Sequence, residues 1–202
     1  MSRIYFTADL HLGHELVAVQ RGYDTVADHD AAIVETIIDA LPDKTTLWIL
    51  GDVMGWGSHR EHALDLLQEV REHTGATLHL VAGNHDTCHP MHRNAGREQR
   101  KYLRVFDSVQ AFAKLRHHRR DVLLSHFPYH GDHTAQDRCI QWRLRDYGQP
   151  LIHGHTHQAA PTDESRPHQV CVSWEAWGMP AKLHEVMRAL HSHAGGYHNL
   201  QE

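Results

Sequence analysis

The chain reads as an α/β protein whose functional groups gather at the carboxyl ends of β-strands. Two observations carry this reading. Short apolar runs of strand length alternate with longer stretches whose apolar residues recur at helical spacing. Three of the early runs end in polar clusters, Asp9-Leu10-His11, Gly51-Asp52 and Gly83-Asn84-His85-Asp86, and a later one ends in Gly154-His155-Thr156-His157. In open α/β sheets, ligands bind at that end of the strands.

Ile4 to Ala8 is the first strand, a short apolar run that stops at Asp9. Asp28 to Leu41 carries Ile33, Ile37, Ile38 and Leu41 at helical spacing, and Pro42 closes the helix. Thr46 to Leu50 is the second strand; Glu61 to His73 is the next helix, with Leu64, Leu67 and Val70 facing inward. Thr77 to Ala82 is the third strand. The pattern then changes. Arg93 to Leu103 reads as a basic helix, and Val109 to Leu115 with Asp121 to Ser125 as a hairpin turning at Arg116 to Arg120. Asp137 to Tyr147 is ambiguous, with a helical leaning. Pro150 to His153 and Gln169 to Ser173 are short strands, and Ala181 to Leu190 is a terminal helix. The expected organisation is a single domain over residues 1–190 and a polar, fraying tail over 191–202.

Twenty-three histidines among 202 residues exceed ordinary use, but they are dispersed, and most of those outside the polar clusters read as surface residues. Cys88, Cys139 and Cys171 form no C-x-x-C pair and read as free thiols of a reducing compartment. The N-terminus runs straight into a strand, and no apolar stretch is long enough to span a bilayer, so a cytoplasmic location is expected. The net charge of −5 hides an asymmetry: residues 87–120 hold nine Lys or Arg against Glu98 and Asp107, a local balance of +7 that leaves −12 elsewhere. Two readings stand for this segment: a field that draws an anionic substrate, or a solvated helix face and hairpin turn.

Carboxylate, amide oxygen and imidazole in this mixture suit a pair of divalent metal ions. With His126 in Leu-Leu-Ser-His-Phe, the set resembles the D-x-H, G-D, G-N-H-D, H and G-H-x-H signature of calcineurin-like metallophosphoesterases, and it spans residues 9–157. A polar turn group explains one such Asp or Asn, but not five elements in order. The resemblance implies a four-layer α/β/β/α sandwich, two mixed sheets flanked by helices, with the metal site at strand carboxyl ends. It implies one metal on Asp9, His11, Asp52 and His157, and another on Asp52, Asn84, His126 and His155, with Asp52 as the bridge. It implies His85 as the catalytic group at the leaving oxygen and Asp86 as the carboxylate that orients it. Two divalent ions against two carboxylates leave a positive site suited to phosphate.

The implied reaction is hydrolysis of a phosphodiester by in-line attack of a metal-bridging hydroxide. Nucleotides and other small diesters, 2′,3′-cyclic nucleotides among them, are the expected substrates. Manganese is the first expectation for the metals, with iron, zinc, nickel and cobalt as alternatives. The competing readings are a phosphomonoesterase, a nuclease for single strands and a non-catalytic metal-bound scaffold. A small phosphoester is the expected partner ahead of long nucleic acid, and no membrane is expected. His14, which extends the first motif to Asp-x-His-Leu-Gly-His, and Trp56 are candidate substrate contacts, Trp56 by stacking on a base unless it packs in the core. His153, Trp174 and Trp177 read as structural. Many relatives carry Asp or Asn three residues after the bridging aspartate, and Gly55 stands there in this chain.

Overall fold

The computed structural model describes residues 3–55 and 60–193. Two mixed sheets face each other and are flanked by helices, as expected. The first sheet contains β1 (Ile4–Thr7), β2 (Thr46–Ile49), β3 (Thr77–Val81), β4 (Ser108–Gln110) and β9 (Ala181–Lys182), in the order β4-β3-β2-β1-β9. The second contains β5 (Phe112–His117), β6 (Arg120–Ser125), β7 (Leu151–His153) and β8 (Gln169–Cys171), in that order. Each sheet is parallel except at one edge, where β9 runs antiparallel to β1 and β5 to β6.

The central strands are buried on both faces, which is why they read as continuous apolar runs. Tyr5, Leu47, Ile49, Leu78 and Leu80 enter one core, shared with Ile33 and Ile37 of α2 (Val26–Ala40) and with Leu64 and Leu67 of α3 (Arg60–Thr74). Phe6 and Val81 point the other way, into a second core with Val122, Leu124, Ile152 and Val170 of the facing sheet. Val186, Met187 and Leu190 of α6 (Leu183–His193) join that second core. Residues 191–193, expected in the tail, continue α6.

α2 starts before Asp28 because Thr25 caps it, its hydroxyl accepting from the Asp28 amide at 3.1 Å. α1 (Glu15–Gln20) has no counterpart in the sequence reading: six residues, only Val17 and Ala18 buried, are too few to show a period. α4 (Ala95–Tyr102) lies within the expected basic helix. α5 (Trp174–Trp177) is a single turn after β8, with Trp174 buried as expected.

The expected strand over Val109–Leu115 is divided. β4 pairs with β3 in the first sheet and β5 with β6 in the second, so the chain crosses between sheets at Ala111. Asp137–Tyr147 is not helical beyond a 3₁₀ turn at Ile140–Trp142; it belongs to the irregular segment between β6 and β7. That segment is tied down where the Tyr129 amide donates to the Gln169 side-chain carbonyl Oε1 at 2.8 Å.

Several of the basic residues of 87–120 are engaged away from the motifs. The Arg116–Arg120 turn lies at the start of β6, whereas His126 follows its end, roughly 20 Å away at about 3.4 Å per residue. Lys101 and Arg97 pair with Glu98, Arg104 with Glu61, and Lys114 and Arg116 with Asp121.

Candidate metal centre

The motif loops run side by side beyond the strand ends. After β1 and β2, the amides of Asp9, His11 and Leu12 donate to the carbonyls of Gly51, Asp52 and Val53 at 2.9–3.1 Å. The Gly154 amide donates to the carbonyl of His126, which joins the two later motifs. The fit is tight: a Cβ on Gly83 would strike Asp52 Oδ1, and one on Gly154 would meet Asp9 Oδ2 at 2.7 Å. Asp9, His11, Asp52, His155 and His157 all take positive φ, between 47° and 69°. Such a backbone costs on the order of 1–3 kcal/mol per residue and persists where the surroundings enforce it, often at functional sites. An ordinary polar turn does not account for five of them at one place.

Two groups of ligating atoms result. Asp9, His11 and His157 form one, and Asp52, His126 and His155 form the other. Asn84 adjoins the second, its Oδ1 3.1 Å from His126 Nε2. Asp52 lies between the two, with Oδ2 3.4 Å from His126 Nε2 and 3.9 Å from His11 Nε2. The seven residues expected as ligands are thus brought to one place.

The donor set fits metal ions. His126 Nδ1 donates to the Leu50 carbonyl at 2.8 Å, His155 Nε2 to Asp132 at 3.1 Å, and His157 Nδ1 to Glu175 at 3.0 Å. Each ring therefore turns its other nitrogen into the centre. There the inner nitrogens of His155 and His126 are 3.2 Å apart, and those of His157 and His11 are 3.3 Å apart. At that distance each pair needs a proton or a metal cation between or beside its two nitrogens. Burial pushes the Asp9 carboxyl up to about 6. Burial acts against a charge on His126 too, but the neighbouring Asp52 carboxylate outweighs it and raises the imidazole to about 9. The centre thus draws positive charge, which a divalent ion supplies without a proton.

His85 sits at the mouth. Its Nε2 is 3.8 Å from Asp52 Oδ2, its ring packs edge-on to His11 at 5.2 Å, and its side chain is 17 % exposed. Asp86 is placed differently from expectation. Its carboxylate accepts from the amides of Asp52, Val53 and Gly83 at 2.7–3.1 Å, so it buckles the second motif to the third instead of orienting His85. His14 caps α1, its ring accepting from the Val17 amide at 3.4 Å. That ring fills the space a Gly55 side chain would need, which explains the missing polar residue there. His153 is buried and donates to the Gly154 carbonyl at 2.7 Å, a structural role. Trp56 lies outside the described residues.

Three residues escaped sequence reasoning. Glu175 lies on α5, four residues past the exit of β8, where no motif marks it. Asp132 lies in an irregular loop without periodicity, and Arg21 follows a helix too short to read. Asp132 and His133 with His155 make a third group of ligating atoms, but Arg138 Nη2 pairs with Asp132 at 2.9 Å, which leaves Asp132 the task of holding His155.

The model of the calcineurin-like phosphoesterase superfamily domain matches residues 3–173. The Gene 66 protein of Mycobacterium phage D29 is 41 % identical, over 92 % of this chain and 94 % of its own length. The Gene 66 protein of Mycobacterium phage L5 is 38 % identical, over 96 % and 99 %. In three dimensions the chain is similar to a protein of unknown function from Aquifex aeolicus, with a TM-score of 0.68 at 22 % identity, over 93 % of this chain and 99 % of that one. The family implies divalent metal ions and phosphoester hydrolysis, and no helix among the described residues is long and apolar enough to cross a membrane. With the motif loops meeting in one strained, histidine-lined centre and the family model matching nearly end to end, this chain belongs to the calcineurin-like phosphoesterase superfamily.

Proposed function

We propose that the chain is a two-metal phosphodiesterase for nucleotides or other small diesters. The observation that carries this reading is the pair of histidine–carboxylate groups on either side of Asp52. Asp9, His11 and His157 would hold one ion, Asn84, His126 and His155 the other, and Asp52 would touch both. When bound, the ions supply an acidified water nucleophile and clamp the phosphate oxygens. Manganese is the first candidate, ahead of iron, zinc, nickel and cobalt.

The chain's own residues do the rest. The outward hydrogen bonds of His126, His155 and His157 keep their inner nitrogens aimed at the centre, where a metal ion would take the place of a proton. Asn84 contributes a neutral oxygen, which keeps the centre positive toward a phosphate. His85, at the mouth, holds at Nε2 the proton that the leaving oxygen takes. Asp86 keeps Asp52 and the Gly83 loop in register. His14, half-buried beside His11, and Trp56 are the proposed contacts for the part of the substrate that does not react.

Initial rates with Mn²⁺ on bis-p-nitrophenyl phosphate and on p-nitrophenyl phosphate test the reading. The diester is expected to be turned over faster. A strong monoester preference would make the chain a phosphomonoesterase. Cleavage of single strands with little action on small diesters would make it a nuclease, and metal binding without any turnover a scaffold.

A further inference from the structure

The side chain of Arg21, 9 % exposed, stands behind the first group of ligands, and every contact it makes leads to that group. Its Nη2 donates to Glu175 Oε1 at 2.6 Å and its Nε to the same oxygen at 3.1 Å. Glu175 Oε1 in turn accepts from His157 Nδ1 at 3.0 Å. The guanidinium also reaches the motif loop directly, through the Asp9 carbonyl at 2.7 Å and the Leu10 carbonyl at 2.9 Å. Its last contact is His29 Nε2 at 3.0 Å. As the acceptor there, Nε2 leaves the proton on Nδ1, which donates to Asp30 at 2.8 Å. Asp30 then accepts from the Gly13 amide at 2.9 Å. One side chain thus grips the Asp9–Gly13 loop at both ends and the ring of His157 from behind.

Among the described residues, nothing comparable braces the second group from a helix. His155 leans on Asp132, and Asp132 on Arg138, 41 % exposed, at 2.9 Å and on the buried side chain of Arg143 at 3.9 Å, both in the irregular segment. The two relays share no residue, and they reach different ligands.

We propose that Arg21 is a positioning residue for the Asp9–His11–His157 metal site, acting on His157 through Glu175 and on Asp9 and His11 through their loop carbonyls. The planar fork explains why arginine serves there: three directions of donation meet two backbone oxygens, a carboxylate and an imidazole, which a lysine ammonium cannot match. The left-handed backbone of Asp9 and His11 needs such a restraint, since nothing in their own conformation favours it. This inference rests on the two-metal reading.

Calorimetric titration of metal-free protein with Mn²⁺ tests it, comparing the natural chain with Arg21→Gln, Arg21→Lys, Glu175→Gln and Asp132→Asn. The expected result is a loss of about 10- to 100-fold in affinity for one of two ions in Arg21→Gln, with the other unchanged. Arg21→Lys should recover little of it, and Glu175→Gln should weaken the same ion. Asp132→Asn should weaken the other one. If Arg21→Gln does not fold, Glu175→Gln carries the test, since that side chain is partly exposed on a single helical turn. Unchanged affinities, or equal weakening of both ions with a lowered melting temperature, would overturn the inference. A natural chain that takes up one ion only, weakened by Arg21→Gln and not by Asp132→Asn, would overturn the two-metal reading and leave the role of Arg21 standing.

Discussion

The two sides of the centre are built from the same parts on different supports. On one side His157 is backed by Glu175 and then by Arg21, which hangs from the end of α1 and is fastened to the first motif loop. On the other side His155 is backed by Asp132 and then by Arg138, in a loop with one 3₁₀ turn. Each histidine meets the same sequence of carboxylate and guanidinium. The supports differ in what they are fastened to: Arg21 to the first motif loop and to a helix, Arg138 to its neighbours within the irregular segment. Ligand chemistry alone therefore does not describe a metal site: the rigidity of what stands behind the ligand is a separate variable.

Asp52 belongs to both sides, so its removal should break the comparison altogether. Asp52→Ala should lose paired metal binding and lower turnover by more than about 10³-fold, read by metal content and by initial rates together. A variant that kept two ions would show that Asp52 is not the shared ligand. His85 belongs to neither side. His85→Ala should lose about 10²- to 10⁴-fold in turnover with metal content unchanged. The loss should shrink on substrates with good leaving groups. Equal losses on good and poor leaving groups would remove it from the proton-transfer role.

Asp86 tests the frame that both sides share. Asp86→Ala leaves three inward amides without their acceptor and should cost about 3 kcal/mol in urea unfolding of the metal-free protein. A loss under about 1 kcal/mol would mean the loops are held otherwise. The smallest effect concerns the rim. Gly55→Ala should destabilise by about 1–3 kcal/mol, because the new methyl meets the His14 ring. His14→Ala in the same chain should restore most of that loss; no restoration would place the strain elsewhere.

The two sides also differ in how well the sequence discloses them. Strand tips are legible, because a buried strand announces itself by apolar residues and its exit by an abrupt polar cluster. Asp9, Asp52 and Asn84 were found in that way, and the order of the motifs carried His126, His155 and His157 with them. The outer supports were not. Asp132 sits in a loop with no period, and Arg21 is separated from Glu175 by most of the chain, so only the folded structure pairs them. Asp86 shows the opposite error: its place in a motif indicated a partner, His85, while three backbone amides had the stronger claim on its oxygens. The divided strand at Ala111 has a similar origin, since a run of β-forming residues does not say in which sheet each half will find its neighbour.

The central claim is that two ions sit on either side of Asp52. An anomalous-difference map from crystals soaked in Mn²⁺ tests it most directly. Two peaks about 3.5–4 Å apart are predicted, one against Asp9, His11 and His157 and one against Asn84, His126 and His155. A single peak, or one at Asp132 and His133 instead, would contradict the account.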